Sequence, residues 1–382
     1  MIYLDAAATT AVRREVLEAA WPYLTSAYGN ASSHHTVGEA AARALTDAHK
    51  AVAVWLGVRA SDVIFTSGGT EADNLAIKGI ALATPRGRHI VTTRIEHEAV
   101  LESIDHLRRF HGFDISFAEV DRHGVVSLES FSAALRRDTT LASVMYANNE
   151  VGTVQPIAEL AAAAHVAGVP FHTDAVQAAG WLDCSAPALG VDALSIAGHK
   201  LGAPKGIGAL FVRGRIPLEP VLHGGGQERG KRSGTENIAG AVALARAVQL
   251  AEQDRQRNAR QATDARDAFI AAVAAGVPSA ELTGHPRERL PANASFVFHG
   301  ASGESVLLEL ERRGIVSSSG SACAAGSDDA SHVLVALGYP EDVAKSAVRF
   351  SWGADVDRAA LVAVAGAVRT AVAQVLGIAA LR

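Results

Sequence analysis

The chain alternates short apolar runs with longer segments of helical period, and this alternation constrains its fold more than any other feature. Parallel strands need long crossover connections, which are usually helices, so the pattern predicts an α/β protein with a mostly parallel seven-stranded sheet flanked by helices. The strand candidates span residues 62–66, 89–93, 115–119, 141–146, 169–173, 193–197 and 208–212, and the crossover-helix candidates span 70–83, 99–110, 127–135 and 157–167.

The length of the chain predicts more than one domain. At 382 residues it exceeds the size at which a single hydrophobic core keeps growing. After Gly234 the sequence becomes an Ala-rich, charged helical stretch that reaches about Ala275, and a second small α/β segment follows. We therefore predict a large domain over residues 14–255 and a smaller α/β domain over residues 256–382, to which residues 1–13 also belong.

Charge and cysteine content exclude several classes of protein. The 35 basic and 40 acidic side chains give a net charge of -5 without a dense Lys/Arg run, so no direct nucleic-acid partner is expected. The two cysteines, Cys184 and Cys323, cannot form a disulfide framework or a paired-cysteine zinc site within one chain, and no metal is expected. Without a signal-peptide pattern or a run of eighteen apolar residues, we expect a cytoplasmic protein with no membrane partner.

The segment FTSGGTEADNLAIKG is typical of an anion cup. A strand candidate ends near Ser67, a Gly68-Gly69-Thr70 turn follows, and a helix begins near Glu71. Backbone N–H groups and the positive end of the helix dipole would face a bound phosphate there. An ordinary helix N-cap beside a glycine turn has the same local pattern. Dinucleotide and P-loop motifs are absent from the chain.

Two further segments carry groups that pyridoxal phosphate chemistry requires. Asp174 follows an apolar strand candidate in HTDAVQAAG, where a carboxylate could pair with a pyridinium nitrogen, although a helix N-cap aspartate fits equally well. His199 and Lys200 lie in the glycine-bounded loop SIAGHKLGAPKGIG. In such a loop the amine of a lysine can form a Schiff base with the cofactor. Lys205 in the same loop is a competing candidate, and a solvated loop lysine is the simpler alternative.

The segment SSSGSACAAGSDD surrounds Cys323 with small residues that are typical of an exposed, flexible loop. A thiol on such a loop can be presented to a substrate, whereas Cys184 in WLDCSAP has bulkier neighbours. The alternative is that Cys323 is a small residue in a tight turn. The loop composition favours a reactive thiol at position 323.

Taken in order, these and other segments resemble the cysteine desulfurase family, NifS/IscS-like branch, in the class V aminotransferase group of pyridoxal phosphate enzymes. The resemblance implies the type I fold of these transferases and covers nearly the whole chain. The loop after Cys323 is as long as in that branch. The matching segments are YLDAAATT, GNASSHHTVG, FTSGGTEADNLAIKG, IEHEAV, ANNEVGTVQPI, FHTDAVQAAG, the lysine loop, HGGGQERGKRSGTEN, SSGSACAAG and VRFSWG.

The resemblance implies a role for each site residue. Lys200 would hold pyridoxal phosphate as a Schiff base, Asp174 would pair with its pyridinium nitrogen, and His97 would stack on its ring and take part in catalysis. The other implied contacts are Asn149 and Gln177 at the phenolic oxygen, Gly69, Thr70 and His199 at the phosphate, Thr235 at the phosphate of a partner subunit in a homodimer, and Arg349 with Asn149 at the substrate.

The implied reaction converts L-cysteine to L-alanine and leaves a persulfide on Cys323. Acceptor proteins for iron-sulfur cluster assembly or tRNA thiolation would then receive the sulfur. The alternatives are a selenocysteine lyase, a small amino-acid aminotransferase of the same fold, or a catalytically idle scaffold in a sulfur-transfer assembly. Many family members have serine where this chain has Ala197, so we expect weaker retention of the cofactor.

Overall fold

The computed structural model describes residues 1–83, 86–319 and 330–379. Its strands are β1 (Ile2–Tyr3), β2 (Val63–Thr66), β3 (His89–Thr93), β4 (Asp114–Ala118), β5 (Thr139–Ser143), β6 (Phe171–Asp174), β7 (Ala193–Ala197), β8 (Gly208–Val212), β9 (Ala280–Leu282), β10 (Asn293–Phe298), β11 (Ile315–Val316) and β12 (Ala347–Ser351). Its helices are α1 (Arg14–Thr25), α2 (Thr36–Leu56), α3 (Gly69–Ala83), α4 (Glu98–His111), α5 (Leu128–Ala134), α6 (Ile157–Val166), α7 (Ala186–Leu189), α8 (Ile238–Gly276), α9 (Gly303–Glu311), α10 (His332–Ala336), α11 (Glu341–Ala344) and α12 (Arg358–Ala379).

Seven strands form the central sheet in the order β2-β8-β7-β6-β5-β3-β4. Strand β8 is antiparallel to both of its neighbours, and the other pairs are parallel. The predicted mostly parallel, seven-stranded sheet is therefore confirmed. Because β2, β6 and β7 run in the same direction, their carboxyl ends lie along one edge of the sheet.

The predicted strand at residues 141–146 was placed too late in the chain, because β5 starts at Thr139. The strand was predicted from its run of apolar residues, which does not include Thr139 and Thr140 because they are polar, although both are buried. Their hydroxyls are satisfied: the Thr140 hydroxyl donates to the Gly87 carbonyl at 2.8 Å, and the Thr139 hydroxyl lies 2.8 Å from Nδ1 of His89. Hydrogen-bonded threonines can extend a buried strand beyond its apolar run.

Alternation along the strands supplies apolar side chains to both faces of the sheet. Phe65 and Val91 belong to a core covered by α2, α6 and the first half of α8, whereas Ile64 and Ile90 pack with α3 and α4 on the other face. Successive residues of a strand point to opposite faces, so short all-apolar runs suit a sheet buried on both sides. This burial leaves the strand ends as the place for polar chemistry.

A second, three-stranded antiparallel sheet, β12-β10-β9, packs against the end of α8, α9 and α12. Its core is aromatic: Phe269 contacts Phe296, Phe350 and Trp352 edge-on at centroid distances of 5.2 to 6.2 Å. Helix α8 runs for 39 residues through position 255, where the domain boundary was predicted. The division into domains stays a prediction, with its boundary inside a continuous helix.

Helix α12 is the one helix in the described part of the chain that is long and apolar enough to cross a membrane, over Arg358–Gly377. Its most apolar window is 39% buried within the protein. Leu361, Val364, Val368 and Val372 of this helix all lie in the core beneath the three-stranded sheet. Packing in this core accounts for the apolar character of that face.

Candidate active site

Three strand ends position the candidate site. Thr66 and Ala197 both pair with Gly208, which brings the turns after β2 and β7 together. A Cβ atom at Gly208 would come within 2.7 Å of the Gly68 carbonyl carbon, so glycine permits this close approach. Asp174 is the last residue of β6, beside β7. The site therefore forms at the carboxyl edge of the sheet, where open α/β sheets bind ligands.

Most of the predicted site residues line one cavity of about 450 Å³ at this edge. Thr235 is separate from it and lines a smaller cavity of about 100 Å³ together with Ser67 and Arg232. Cys323 lies outside the described residues. The predicted residues that share the larger cavity are Gly69, Thr70, His97, Asn149, Asp174, Gln177, His199, Lys200 and Arg349.

Lys200 ends a short 3₁₀ turn after β7, and its ammonium group meets the N-terminal segment of the chain. Nζ donates to the backbone carbonyl of Ala7 and, at 2.8 Å, to that of Ala8. Gln177 also donates to the Ala7 carbonyl, at 2.9 Å. Lys205 is exposed and is not among the residues lining this cavity. Of the two lysines that loop chemistry left open, only Lys200 borders the candidate site.

Asp174 is buried at the end of β6. Burial raises the pKa of its carboxyl, whereas His97, the Val176 N–H group and Lys200 oppose that shift. The Val176 N–H donates to Oδ1 at 2.8 Å. His97 precedes α4, and its Nδ1 accepts from the Ala99 N–H at 3.0 Å, which orients the ring. Asp174 can thus hold a negative charge that faces two basic side chains.

The anion cup is predicted at the start of α3, where the turn after β2 leads into the helix. A Cβ at Gly69 would lie 2.9 Å from the Val176 side chain and 3.4 Å from that of Ala197, so glycine keeps this corner open. The Ser67 N–H is already bonded, at 2.8 Å, to Glu71. Burial raises the pKa of Glu71, but hydrogen bonds from Arg232 and Ser67 outweigh it and lower the pKa overall. The Glu71 carboxylate therefore caps a backbone N–H at the start of α3, as the alternative of an ordinary helix N-terminus also allows.

His199 lies in the same corner as a neutral ring. Burial lowers its pKa to about 4, with Lys200 and Lys205 adding to the effect. Its Nδ1 lies 3.1 Å from the Thr9 hydroxyl, and its backbone carbonyl accepts from the Thr10 hydroxyl at 2.8 Å. A neutral imidazole can donate one hydrogen bond to a phosphate without adding a fixed charge.

Arg349 enters the cavity from β12 with a side chain that is only 3% exposed. One terminal nitrogen donates to the Asn149 carbonyl at 3.0 Å, and the other to Oδ1 of Asp5 at 2.8 Å. Its Nε has no hydrogen-bond partner among the described residues. The ion pair with Asp5 was not predicted. Asp5 lies in YLDAAATT, one of the segments that resemble the family, and this was the only sequence feature that pointed to it. The guanidinium is held in place before any substrate binds.

Comparison with known proteins identifies the family. The Aminotransferase class-V family model matches residues 2–363. Cysteine desulfurase IscS of Dictyoglomus turgidum is 44% identical over 353 residues, which cover 92% of this chain and 89% of the relative. Cysteine desulfurase IscS of Methanosarcina thermophila is 44% identical over 363 residues, covering 94% and 89%. The chain belongs to the cysteine desulfurase family. The predicted family and enzyme class are confirmed.

Solved structures also match this cysteine desulfurase family member. A NifS-like protein aligns with a TM-score of 0.89 at 34% identity, covering all of both chains. SspA in complex with cysteine aligns with a TM-score of 0.80 at 34% identity, over 92% of this chain and 98% of SspA. DndA from Streptomyces lividans aligns with a TM-score of 0.77 at 37% identity, over 92% and 99%. The predicted fold class is confirmed.

Two buried acids near Asp174 were missed by the sequence analysis of this cysteine desulfurase. Asp73 of α3 lines the cavity. Glu96 lies in the segment before α4 and is close enough to Asp73 to repel its negative charge. Burial raises the pKa of Glu96 to about 8, although hydrogen bonds from Thr93 and Met145 oppose this. The motifs FTSGGTEADNLAIKG and IEHEAV contain both acids, but nothing in their spacing distinguishes a buried acid from a solvated one.

Proposed function

We propose that this chain is a pyridoxal phosphate-dependent cysteine desulfurase that converts L-cysteine to L-alanine and places the sulfur on Cys323 as a persulfide. One observation carries the proposal: Lys200, Asp174, His97 and Arg349 border a single cavity at the carboxyl edge of the sheet. These are an amine, a buried acid, an aromatic ring and a guanidinium, each suited to a different part of the cofactor and substrate.

The cavity fits pyridoxal phosphate by the chemistry of its donors. A Cβ at Gly69 would fill the corner where α3 begins, and the neutral His199 adjoins it, so a phosphate would be held at this end. Asp174 would pair with the pyridinium nitrogen at the other end of the ring, and His97 would stack on it. When bound, the cofactor supplies an electron sink for the carbanion formed at the substrate Cα.

The protein side chains would orient the substrate and move its protons. Arg349 would bind the substrate carboxylate through a planar fork, beside Asn149, whose backbone carbonyl already positions the guanidinium. Lys200 would remove the Cα proton at Nζ and return a proton to the product. Its hydrogen bonds to the Ala7 and Ala8 carbonyls keep Nζ inside the cavity.

Sulfur transfer would need a thiolate at Cys323. The Cys323 sulfur attacks the substrate sulfur, an S–S bond forms, and the substrate C–S bond breaks with its electron pair left on the carbon skeleton. Protonation of that carbon gives alanine, so the atoms balance as cysteine plus thiol giving alanine plus persulfide. His97 would accept the thiol proton at Nδ1, which would give up the hydrogen bond from the Ala99 N–H.

We further propose that the active protein is a cytoplasmic homodimer, in which Thr235 would reach the phosphate of the other subunit. The position of Thr235 supports this proposal. Thr235 does not line the cavity of about 450 Å³ in its own subunit but lines a different one, so a phosphate that it contacts would belong to another subunit. Acceptor proteins for iron-sulfur assembly or tRNA thiolation would receive the persulfide sulfur. The names of the curated relatives favour cysteine over selenocysteine lyase or aminotransferase chemistry.

Mass spectrometry after addition of L-cysteine tests the proposal. We expect alanine in the medium and a sulfur adduct on the Cys323 peptide. Lys200→Ala should abolish both, and Lys205→Ala is the matched control that should retain them. Cys323→Ala should lose the adduct and release of sulfide. Normal sulfide release from the Cys323→Ala variant would show that the residue does not have this role.

A further inference from the structure

Three carboxyl groups are buried together beside the candidate cofactor site, and the proposed mechanism uses only one of them. Asp174 ends β6, Asp73 lies on α3, and Glu96 precedes α4. None of the three is more than 6% exposed, and electrostatic repulsion from Asp174 acts on both of the other acids. Three like charges cannot all persist in one water-excluded region, so most of these groups must be uncharged.

Asp73 has neutral hydrogen-bonding neighbours. Burial and the neighbouring charge of Asp174 raise the pKa of its carboxyl, which the Ser195 hydroxyl only partly opposes, and its Oδ1 has no hydrogen-bond partner among the described residues. The nearest ring nitrogen, Nε2 of His172, is 3.8 Å from that oxygen. Burial lowers the pKa of His172 to about 3, so this ring is neutral near pH 7 and offers no positive charge.

The neighbours of Asp73 form a polar row across the sheet. The Ser143 hydroxyl lies 2.9 Å from Nδ1 of His172, and Nε2 of the same ring lies 2.9 Å from the Ser195 hydroxyl. These residues come from β5, β6 and β7 in turn, and α3 covers them with Asp73. Every member of the row can be satisfied by neutral hydrogen bonds, and none requires Asp73 to be ionised.

Asp174, unlike Asp73, has neighbouring groups that stabilise a negative charge. His97 and Lys200 both stabilise the ionised form of Asp174, and the Val176 N–H donates to its Oδ1. Around Asp73, by contrast, the facing groups are the acids Asp174 and Glu96, a neutral ring and a hydroxyl. A single negative charge shared by the two aspartates is therefore more stable on Asp174.

We propose that Asp73 is a positioning residue that works as an uncharged acid: it carries the proton shared by the Asp73 and Asp174 pair and keeps the negative charge on Asp174. The charge then lies where the pyridinium nitrogen would bind, and a second anion beside it is avoided. The positioning role of Asp73 rests on the proposed function, because it assumes a pyridinium nitrogen beside Asp174. The proton on Asp73 is argued from protein groups alone and can be tested without the cofactor.

Asp73→Asn is the decisive variant, because an amide has the shape of the uncharged acid and cannot ionise. The matched control is Asp192→Asn, since Asp192 is equally buried but forms ion pairs with Arg213 and Arg215. Infrared difference spectra of the full-length protein near neutral pH would show the C=O stretch of a protonated carboxyl. Binding and absorbance of added pyridoxal phosphate would be measured on the same proteins.

We expect Asp73→Asn to remove one protonated-carboxyl band and to leave the affinity and absorbance spectrum of the cofactor unchanged. Asp192→Asn should remove no such band. A missing band difference would show that Asp73 is ionised and would overturn the proposal. Cofactor affinity weakened about tenfold, the factor for one pKa unit, would contradict it too, because the variant would then have removed a charge. Failure of Asp73→Asn to fold would also contradict it, since the amide replaces a neutral group.

The two proposals fail in different ways. If the wild-type protein takes up no pyridoxal phosphate, the proposed function is wrong, and the infrared comparison still decides whether Asp73 holds the proton. If the wild type binds the cofactor but the band difference is absent, the enzyme assignment stands and the role of Asp73 is wrong.

Discussion

Replacing Glu96 with glutamine should make the protein more resistant to unfolding at alkaline pH. Glu96 is fully buried, and one oxygen of its carboxyl accepts from the Thr93 hydroxyl at 2.6 Å and from the Met145 N–H at 3.1 Å. The other oxygen has no partner among the described residues. The amide of the Glu96→Gln variant would keep both accepted hydrogen bonds through its oxygen and present an NH₂ group in place of the protonated oxygen.

The pKa shift of Glu96 sets the size of this effect. Burial raises the pKa from 4.5 to about 8, so the folded state holds a proton that the unfolded state releases. The contribution of the protonated acid is fully present below about pH 4.5 and is lost as the pH rises through 8. At about 1.4 kcal/mol for each pKa unit, the wild type should lose on the order of 5 kcal/mol of unfolding free energy across this window.

Denaturant unfolding at a series of pH values from about 5 to about 9 measures the loss directly. The difference in unfolding free energy between Glu96→Gln and wild type should grow with pH by several kcal/mol. Glu98→Gln is the matched control, because Glu98 is two residues away and exposed. Parallel curves for wild type and Glu96→Gln would refute the conclusion that this carboxyl is buried and protonated.

Three further changes test the cofactor and substrate ends of the cavity. Ala197→Ser should restore a hydroxyl near Gly69 and tighten pyridoxal phosphate binding about fivefold, measured by absorbance titration; no change would mean that the serine position does not reach the phosphate. Gly69→Ala should weaken that binding about tenfold, because its Cβ would meet the Val176 side chain at 2.9 Å, and adding Val176→Ala should recover the affinity. Arg349→Lys should raise KM for L-cysteine about tenfold in steady-state assays, since an ammonium group cannot form the bidentate contact, and an unchanged KM would place the substrate carboxylate elsewhere.

Residue patterns predicted the central sheet because burial on both faces demands apolar strands. Ile64 with Phe65, and Ile90 with Val91, supply one side chain to each core. The start of β5 was not predicted, since Thr139 is polar, and its buried hydroxyl is bonded to the His89 ring as well as to the Arg136 N–H. Local hydropathy cannot register a hydrogen bond that comes from a distant strand.

Local loop chemistry left Lys200 and Lys205 open, and the ordered segments of the cysteine desulfurase family favoured Lys200. In the structure Lys205 is exposed, whereas Lys200 borders the candidate cavity and its Nζ reaches the carbonyls of Ala7 and Ala8. These carbonyls are nearly 200 positions away along the chain. No spacing rule connects residues that meet only when the N-terminal segment folds over the sheet edge.

The alternation of apolar runs thus indicated a mostly parallel, seven-stranded sheet, and the ordered motifs indicated the family and the candidate chemistry. Only the tertiary structure shows which acids are buried beside one another. In the sequence, Asp73 and Glu96 cannot be distinguished from exposed surface acids. Only the packing of the folded chain buries them near Asp174. The charge state of a carboxyl depends on the solvent and charges around it, and a linear sequence does not contain that arrangement.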